Sequence, residues 1–406
     1  MHRSSFKVLA VAPLLALAAA ACGSSTSAGS SATSAGSSAS GAPIVVGAMG
    51  SFTGAGSGST ATAKDVMTAW VDYTNAHGGV NGHPIKVDMI DDANNPSQSL
   101  TGVKQLVQQD HVIAIFDLSD DLDSTWASYL VPLGIPVLGD AQSPVYLTNS
   151  DYYSTGSTVT AVIYGELYAA KQAGIRKLGA VYCAEISTCA LGIPLIRQTG
   201  AALGVHLVYS SKISSTAADY TAPCLAAKAA GATGLNATAA STTVVNMAQS
   251  CYTQGYKPTW VTGAGEMTNS WLTIPAFDDR AVGMVQDVPW FDDSTPATKT
   301  MQAAIKQYAP SVLTNPNFGE VGIVSWATGT VFASIAKTGN LGPSSTPADV
   351  VKALDGVSGD TFGGITPPLT FTAGKPSPVP CSYIVSDTSN KWTEPQGLTL
   401  ACMPAS

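Results

Sequence analysis

The stretch DLSDDLDS, Asp117 to Ser124, sets four carboxylates within seven residues, a density that could hold a cation. It lacks the glycine and the distal glutamate of a calcium loop. His77 and His83 flank a Gly-rich turn, and the five histidines show no His-Glu-x-x-His spacing, so no metal site is expected. No G-x-S-x-G elbow presents a serine nucleophile. GAGSG at Gly54 to Gly58 is too short for a dinucleotide fingerprint, and no Gly-Lys-Ser/Thr follows for a phosphate loop. The chemistry expected is recognition without a cofactor, not catalysis.

The cysteines divide into one plus six. Cys22 follows a basic start (Arg3, Lys7), an apolar run from Val8 to Ala21 and a cluster of small residues, which is the layout of a secretory signal over residues 1–21. The run is shorter than the roughly 20 residues of a spanning helix. This junction resembles that of bacterial lipoproteins, in which the cysteine after the small residues is lipidated. The family usually has Leu three residues earlier, where this chain has Ala19, and simple cleavage after an A-x-A site is the other reading. From Gly23 to Ala42 only Gly, Ser, Ala and Thr occur. Residues 22–42 therefore read as a lipidated cysteine and a flexible tether, with a root-mean-square span of about 25 Å. Acyl chains on Cys22 would anchor an exported domain at the outer face of the cell membrane.

The other six are Cys183, Cys189, Cys224, Cys251, Cys381 and Cys402. An even number in an exported chain points to disulfides, and the sequence-near set pairs Cys183 with Cys189, Cys224 with Cys251 and Cys381 with Cys402. Free buried thiols are the other reading. No C-x-x-C is present, which argues against zinc or a thioredoxin-type site.

The formal net charge is −8, and losing Arg3 and Lys7 with the signal takes it to −10. Such a chain is a poor nucleic-acid binder, because phosphate contacts need clustered Lys and Arg. With 45% hydrophobic and 11% charged residues, the stretch from Pro43 onward can build two ordinary domains.

Those domains must position the candidate residues. From Ile44 short apolar runs alternate with amphipathic stretches, the pattern of βα units on a parallel sheet. IVVGAMG (Ile44 to Gly50) reads as a strand; Val66, Ala69, Trp70 and Tyr73 share one helix face that ends at Gly78-Gly79. PIKVDMIDD, VIAIFDL and IPVLGDA read as further strands. The rhythm restarts with a helix near Ala161 to Ala173, the strand KLGAVYC, and helices over Leu191 to Leu203, Tyr220 to Ala229 and Val244 to Gly255. AVGMVQDVPW (Ala281 to Trp290) reads as a return to the first unit, and CSYIVSDTSNKW as a hairpin turning at Asp387 to Asn390.

SFTGAGSGST, the stretch from Tyr73 to Phe116 and LGIPVLGDA are similar to the solute-binding proteins of branched-chain amino acid ABC transporters, the leucine-binding type of periplasmic binding protein. The motif stands as Asn75, Gly78, Gly79, Val80 and Gly82, then Asp91-Asp92 and a helix opening near Pro96. The resemblance implies an α/β fold of two doubly wound, Rossmann-like lobes with a ligand cleft between them. Residues 43–153 and 284–366 would form one lobe, and 154–283 and 367–406 the other. It implies a monomer that captures a small polar solute, an amino acid or related amine or amide, and hands it to an ABC permease. A tethered sensor reporting to a membrane receptor fits the same pattern.

By position, the resemblance assigns ligand contacts to Ser51 and Thr53 after the first strand, and to Ala141 and Ser143 after IPVLG. The loop with Asp120 and Asp121 takes a place where the family uses small hydroxyl residues. Glu185 and Ser187 fall at the rim of the second lobe, and Glu266 where the family often has an ammonium-binding acid. The loop acids also fit solvated charges or helix caps, Glu266 a surface acid, and Ser143 a cap for the turn through Pro144.

Overall fold

The computed structural model describes residues 39–54, 57–118, 122–185, 187–263 and 265–404. The signal, Cys22, most of the tether, Asp120 and Asp121 lie outside the described residues.

Near-continuous apolar runs make strands buried on both faces, which forces a parallel sheet with helices on either side. β1 (Ile44–Gly50) is such a run. It is followed by α1 (Ser57–Thr60), α2 (Ala63–Ala76), β2 (Ile85–Asp91), α3 (Pro96–Gln108), β3 (Ile115–Asp117), α4 (Ala127–Leu130), β4 (Val137–Gly139) and β5 (Tyr152–Ser154). The first sheet has the order β2-β1-β3-β4-β5, wholly parallel, with Ile44 opposite Ile85 and Gly47 opposite Ile115.

The Asn-x-x-Gly-Gly motif builds this lobe. Asn75 Nδ2 donates to the Ile85 carbonyl at 2.9 Å while its Oδ1 accepts the Ile85 N–H at 2.7 Å, clamping the end of α2 to the start of β2. Gly79 has φ +63°, and a Cβ there would lie 2.0 Å from the His83 carbonyl oxygen. Residues read as the end of the tether already belong to the fold: Ala39 N–H donates to Asn75 O and Ser40 N–H to Gly82 O.

The second unit runs α5 (Val159–Gln172), β6 (Lys177–Cys183), α6 (Gly192–Leu203), β7 (His206–Ile213), α7 (Thr221–Ala229), β8 (Gly234–Thr238), α8 (Ser241–Thr253), β9 (Thr259–Gly263) and β10 (Ala281–Val285). Ala281–Val285 does not return to the first lobe, because it pairs with β9, Ala281 lying opposite Trp260. The chain leaves the second sheet only at Gln286. It then forms α9 (Pro296–Tyr308), α10 (Glu320–Thr338), α11 (Pro347–Leu354), β11 (Ser358–Asp360), β12 (Leu369–Thr370), β13 (Cys381–Asp387), β14 (Trp392–Thr393) and β15 (Ala401–Cys402). β11 and β12 form a small antiparallel sheet of their own, and Phe371 N–H donates to Val357 O just after α11. β13 and β14 make the expected hairpin, and the second sheet has the order β14-β13-β10-β9-β8-β6-β7 with β15 on β13.

All six cysteines are bonded as the sequence-near set: Cys183–Cys189, Cys224–Cys251 and Cys381–Cys402. They staple β6 to the turn after it, α7 to α8, and β13 to β15. The main core packs α10 on α2. Trp70 lies edge-on to Phe116 at 6.5 Å, and Phe116 edge-on to Phe332 at 5.3 Å. Fully burying such a ring contributes roughly 1.5–3 kcal/mol. Among the described residues no helix is long and apolar enough to cross a membrane.

Candidate functional site

Parallel strands deliver their loops to one edge of the sheet, and ligands of open α/β sheets bind there. In this chain the two sets of strand-end loops meet. Ser241, the first residue of α8 after β8, donates its N–H to Ser59 Oγ of α1 at 3.1 Å, and Gly58 packs against Thr242. Ser241 Oγ in turn receives the Trp271 indole N–H at 2.9 Å, which fixes this corner of the second lobe.

The segments that cross between the sheets converge on Ser157. Its hydroxyl donates to the carbonyls of Cys381 at 2.6 Å and Gln286 at 3.2 Å, one from each of the other two crossings. Next to it, Thr158 Oγ1 donates to Val379 O at 3.1 Å.

Beside this knot lies a buried set of acids. Glu320, the first residue of α10, accepts the Gly265 N–H on Oε2 at 2.6 Å and the Gln286 N–H on Oε1 at 2.5 Å, so one carboxyl holds the loop after β9 and the strand end of β10. Gln286 Nε2 donates to Asp140 Oδ1 at 2.8 Å. Burial, with the nearby charges of Asp140 and Glu166 adding to it, raises Glu320 to about 8 despite those two N–H donors. Burial and then the charges of Glu320 and Asp140 push Asp287 well above the usual carboxylate range. Glu166 of α5, raised by burial to about 8, receives Asn236 Nδ2 at 3.1 Å.

The structure places the residues expected from the sequence as follows. Ser51 is buried and donates to Asp92 Oδ1 at 2.7 Å; Thr53 Oγ1 donates to Asp91 Oδ2 at 2.7 Å. Partial burial pushes Asp91 up, but the Thr53 hydroxyl and the N–H groups of Ala93, Thr53 and Phe52 outweigh it, and its pKa is lowered. Ala141 is buried, with its carbonyl accepting the Val159 N–H. Ser143 Oγ accepts the Val145 N–H at 3.4 Å and caps the short turn Pro144–Leu147. Glu185 is exposed and ties its own loop to another, accepting Ser214 Oγ at 2.7 Å and Ser215 N–H at 2.8 Å. Ser187 opens the turn Ser187–Ala190. Glu266 is nearly buried, accepts Thr262 Oγ1 at 3.1 Å, and is pushed well up by burial and by Glu166 and Glu320. In the acidic loop, Asp117 is buried and accepts the Tyr146 hydroxyl at 3.2 Å.

Asp140, Glu166, Gln286, Asp287 and Glu320 escaped the sequence reading. A signal existed for two of them: Glu166 interrupts AVIYGELYAA and Glu320 opens GEVGIVSWATG, and in a chain with 11% charged residues an acid inside an apolar helix calls for a reason.

Two lobes, one on a wholly parallel sheet and one on a sheet whose parallel strands carry an antiparallel edge from β13 on, joined by three crossings and with facing strand-end loops, define a two-lobed solute-binding architecture. The chain belongs to the periplasmic binding protein family, whose sequence profile matches residues 43–390. Membership places it among exported solute-binding proteins of the ABC-transporter type, a family of binders rather than enzymes. Among solved structures it is similar to a branched chain amino acid ABC transporter protein from Thermus thermophilus with bound valine, at 13% identity and TM-score 0.77, covering 87% of this chain and 95% of that one. A fatty acid ABC transporter substrate-binding protein from Thermomonospora curvata superposes at 16% identity and TM-score 0.74, covering 88% and 92%. A solute-binding protein from R. palustris in complex with 4-hydroxybenzoate does so at 16% and 0.69, covering 86% and 95%. Compared by sequence with curated proteins, the chain has no match.

Proposed function

We propose that the chain is the extracellular substrate-binding component of an ABC importer, held to the outer face of the membrane through Cys22, which closes as a monomer on an amino acid or a related amine or amide. The observation that carries this reading is the direct bond from Ser241 N–H to Ser59 Oγ, between helices at the facing ends of the two sheets. Lobes linked by three crossing segments can part about that knot, and binding proteins of this kind close around ligands by hinge motion. Glu266 and the acids behind it are the acceptors this reading assigns to an amine.

The solved structures named above carry valine and 4-hydroxybenzoate, so fold alone leaves the solute open. Thermal unfolding of the full chain in detergent, against amino acids, polyamines, amides and short sugars, tests the reading. A solute at about 100 times its dissociation constant adds roughly 2.7 kcal/mol to the folded state. A shift with amino acids, amines or amides supports the proposal; a shift with sugars alone overturns its solute class, and no shift with any from a folded chain counts against binding of these solutes altogether.

A further inference from the structure

Two consecutive residues at the lobe crossing, Gln286 and Asp287, carry three acceptor oxygens without donors. Gln286 Oε1 and both Asp287 carboxylate oxygens are buried and have no hydrogen-bond partner among the described residues. Both residues are fully buried. The Gln286 amide is fixed in this orientation because its Nε2 donates to Asp140 Oδ1 at 2.8 Å. The side chains acting electrostatically on Asp287 are Glu320 and Asp140, and those acting on Glu266 are Glu166 and Glu320. Every one of these neighbours is itself an acid.

Ionising a buried carboxyl without a partner is costly, and a second acid beside it makes the cost larger, so such a group stays protonated until a cation pairs with it. What such a site lacks is a group made wholly of donors. An ammonium offers three N–H and a guanidinium five, whereas a ligand carboxylate offers none and repels. Among the described residues no three His, Cys, Asp or Glu side chains converge as metal ligands do.

We infer that Asp140, Asp287 and Glu320, with Gln286, recognise a cationic group, and that the solute of this cleft is an organic amine or guanidinium of net positive charge. The inference rests on the solute-binding reading above and narrows it from amino acids in general. A cation entering the cluster displaces the protons that the crowded carboxyls otherwise hold, so its affinity rises with pH. The groups facing Glu320 are Asp140 after β4, Glu166 of α5, Glu266 after β9 and Asp287 after β10; Tyr383 of β13 faces Asp287.

The test is calorimetric titration of the full chain in detergent with agmatine, lysine, leucine and benzoate at pH 8 and pH 5. Agmatine or lysine should bind at least tenfold more tightly than leucine or benzoate, and should weaken about tenfold or more at pH 5. Asp287→Asn, which keeps the side-chain shape, should weaken the cations about tenfold while unfolding cooperatively, and Asp140→Asn should do likewise. Leucine or benzoate bound as tightly as the cations would overturn the inference and leave the solute-binding reading intact. Cation affinity untouched by both variants would also overturn it. Binding of none of the four to a folded chain would count against both.

Discussion

Ser59 and Ser241, 182 residues apart in the chain, share a hydrogen bond of 3.1 Å from the Ser241 N–H to the Ser59 hydroxyl oxygen. It satisfies one of the free N–H groups at the start of α8 with a side chain from α1. Ser59→Ala removes that acceptor from the N–H of Ser241, which water can reach once the lobes part. A bond of this kind contributes about 1 kcal/mol, so solute affinity is expected to fall about fivefold with the unfolding midpoint almost unchanged. Gly58→Val is expected to act more strongly, because a Cβ at Gly58 would lie 2.7 Å from Thr242 Oγ1. Small-angle scattering with and without solute would register the shift as a larger radius of gyration in the variants; identical radii would refute the closing contact.

Ser157 is the point where the three crossings touch. Ser157→Ala takes a donor from the buried Gln286 carbonyl and from the half-buried Cys381 carbonyl, and an orphaned buried polar group costs about 1–3 kcal/mol. The denaturant midpoint is expected to drop accordingly with an unchanged slope. The hinge role adds a second signature: the association rate for solute should change more than for a surface control such as Ser389→Ala. A variant that loses stability with unaltered kinetics would reduce Ser157 to a packing residue.

Much of the fold was readable because its causes are local. Ile44–Gly50 is apolar from end to end, Asn95 accepts the N–H groups of Ser97 and Gln98 to open α3 at Pro96, and polar residues turn the hairpin after Asp387. The disulfide pairing followed from proximity along the chain. The candidate site was harder, since spacing places a residue on a loop without saying where its side chain points. Ser51 and Thr53 stand at the expected strand end, yet their hydroxyls turn to Asp92 and Asp91. Asp140, Asp287 and Glu320 come from three distant stretches, and only the crossing of β10 out of the second sheet brings them together.

The buried acids predict how stability varies with pH in the solute-free chain. Glu320 and Glu166 are raised to about 8 in the folded state, against about 4.5 unfolded. The folded state then binds more protons than the unfolded one between those values, so their contribution is fully present below about 4.5 and is lost as pH rises through about 8. Asp91 and Glu185, whose carboxyls are lowered, act oppositely, but only as pH falls below the ordinary carboxylate range. Denaturant midpoints are thus expected to fall between pH 5 and pH 8. Glu320→Gln should flatten that slope, since a neutral amide has no proton to lose. An equal slope in the variant would assign the dependence elsewhere.

Gly329 tests the packing of α10 on α2, where two effects of opposite sign compete. Replacing a mid-helix glycine with alanine usually stabilises by about 1 kcal/mol through helix propensity. Here a Cβ would lie 2.3 Å from Trp70 Cδ2 and 2.4 Å from Cε2, well inside contact distance, and the atoms it meets belong to a rigid ring. Trp70 has little room to retreat, because its other side faces Phe116 in the core. Overpacking a filled core costs about 1–3 kcal/mol, so the clash outweighs the propensity gain and Gly329→Ala should destabilise by about 1 kcal/mol or more. Gly192→Ala in α6 supplies the control, for there the nearest atom to a Cβ is Ile163 Cδ1 at 3.6 Å, an ordinary contact, and the change should be neutral or slightly stabilising. Urea midpoints of the two variants measured side by side decide it: a Gly329→Ala chain as stable as Gly192→Ala would mean that Trp70 does not pack against α10 as described.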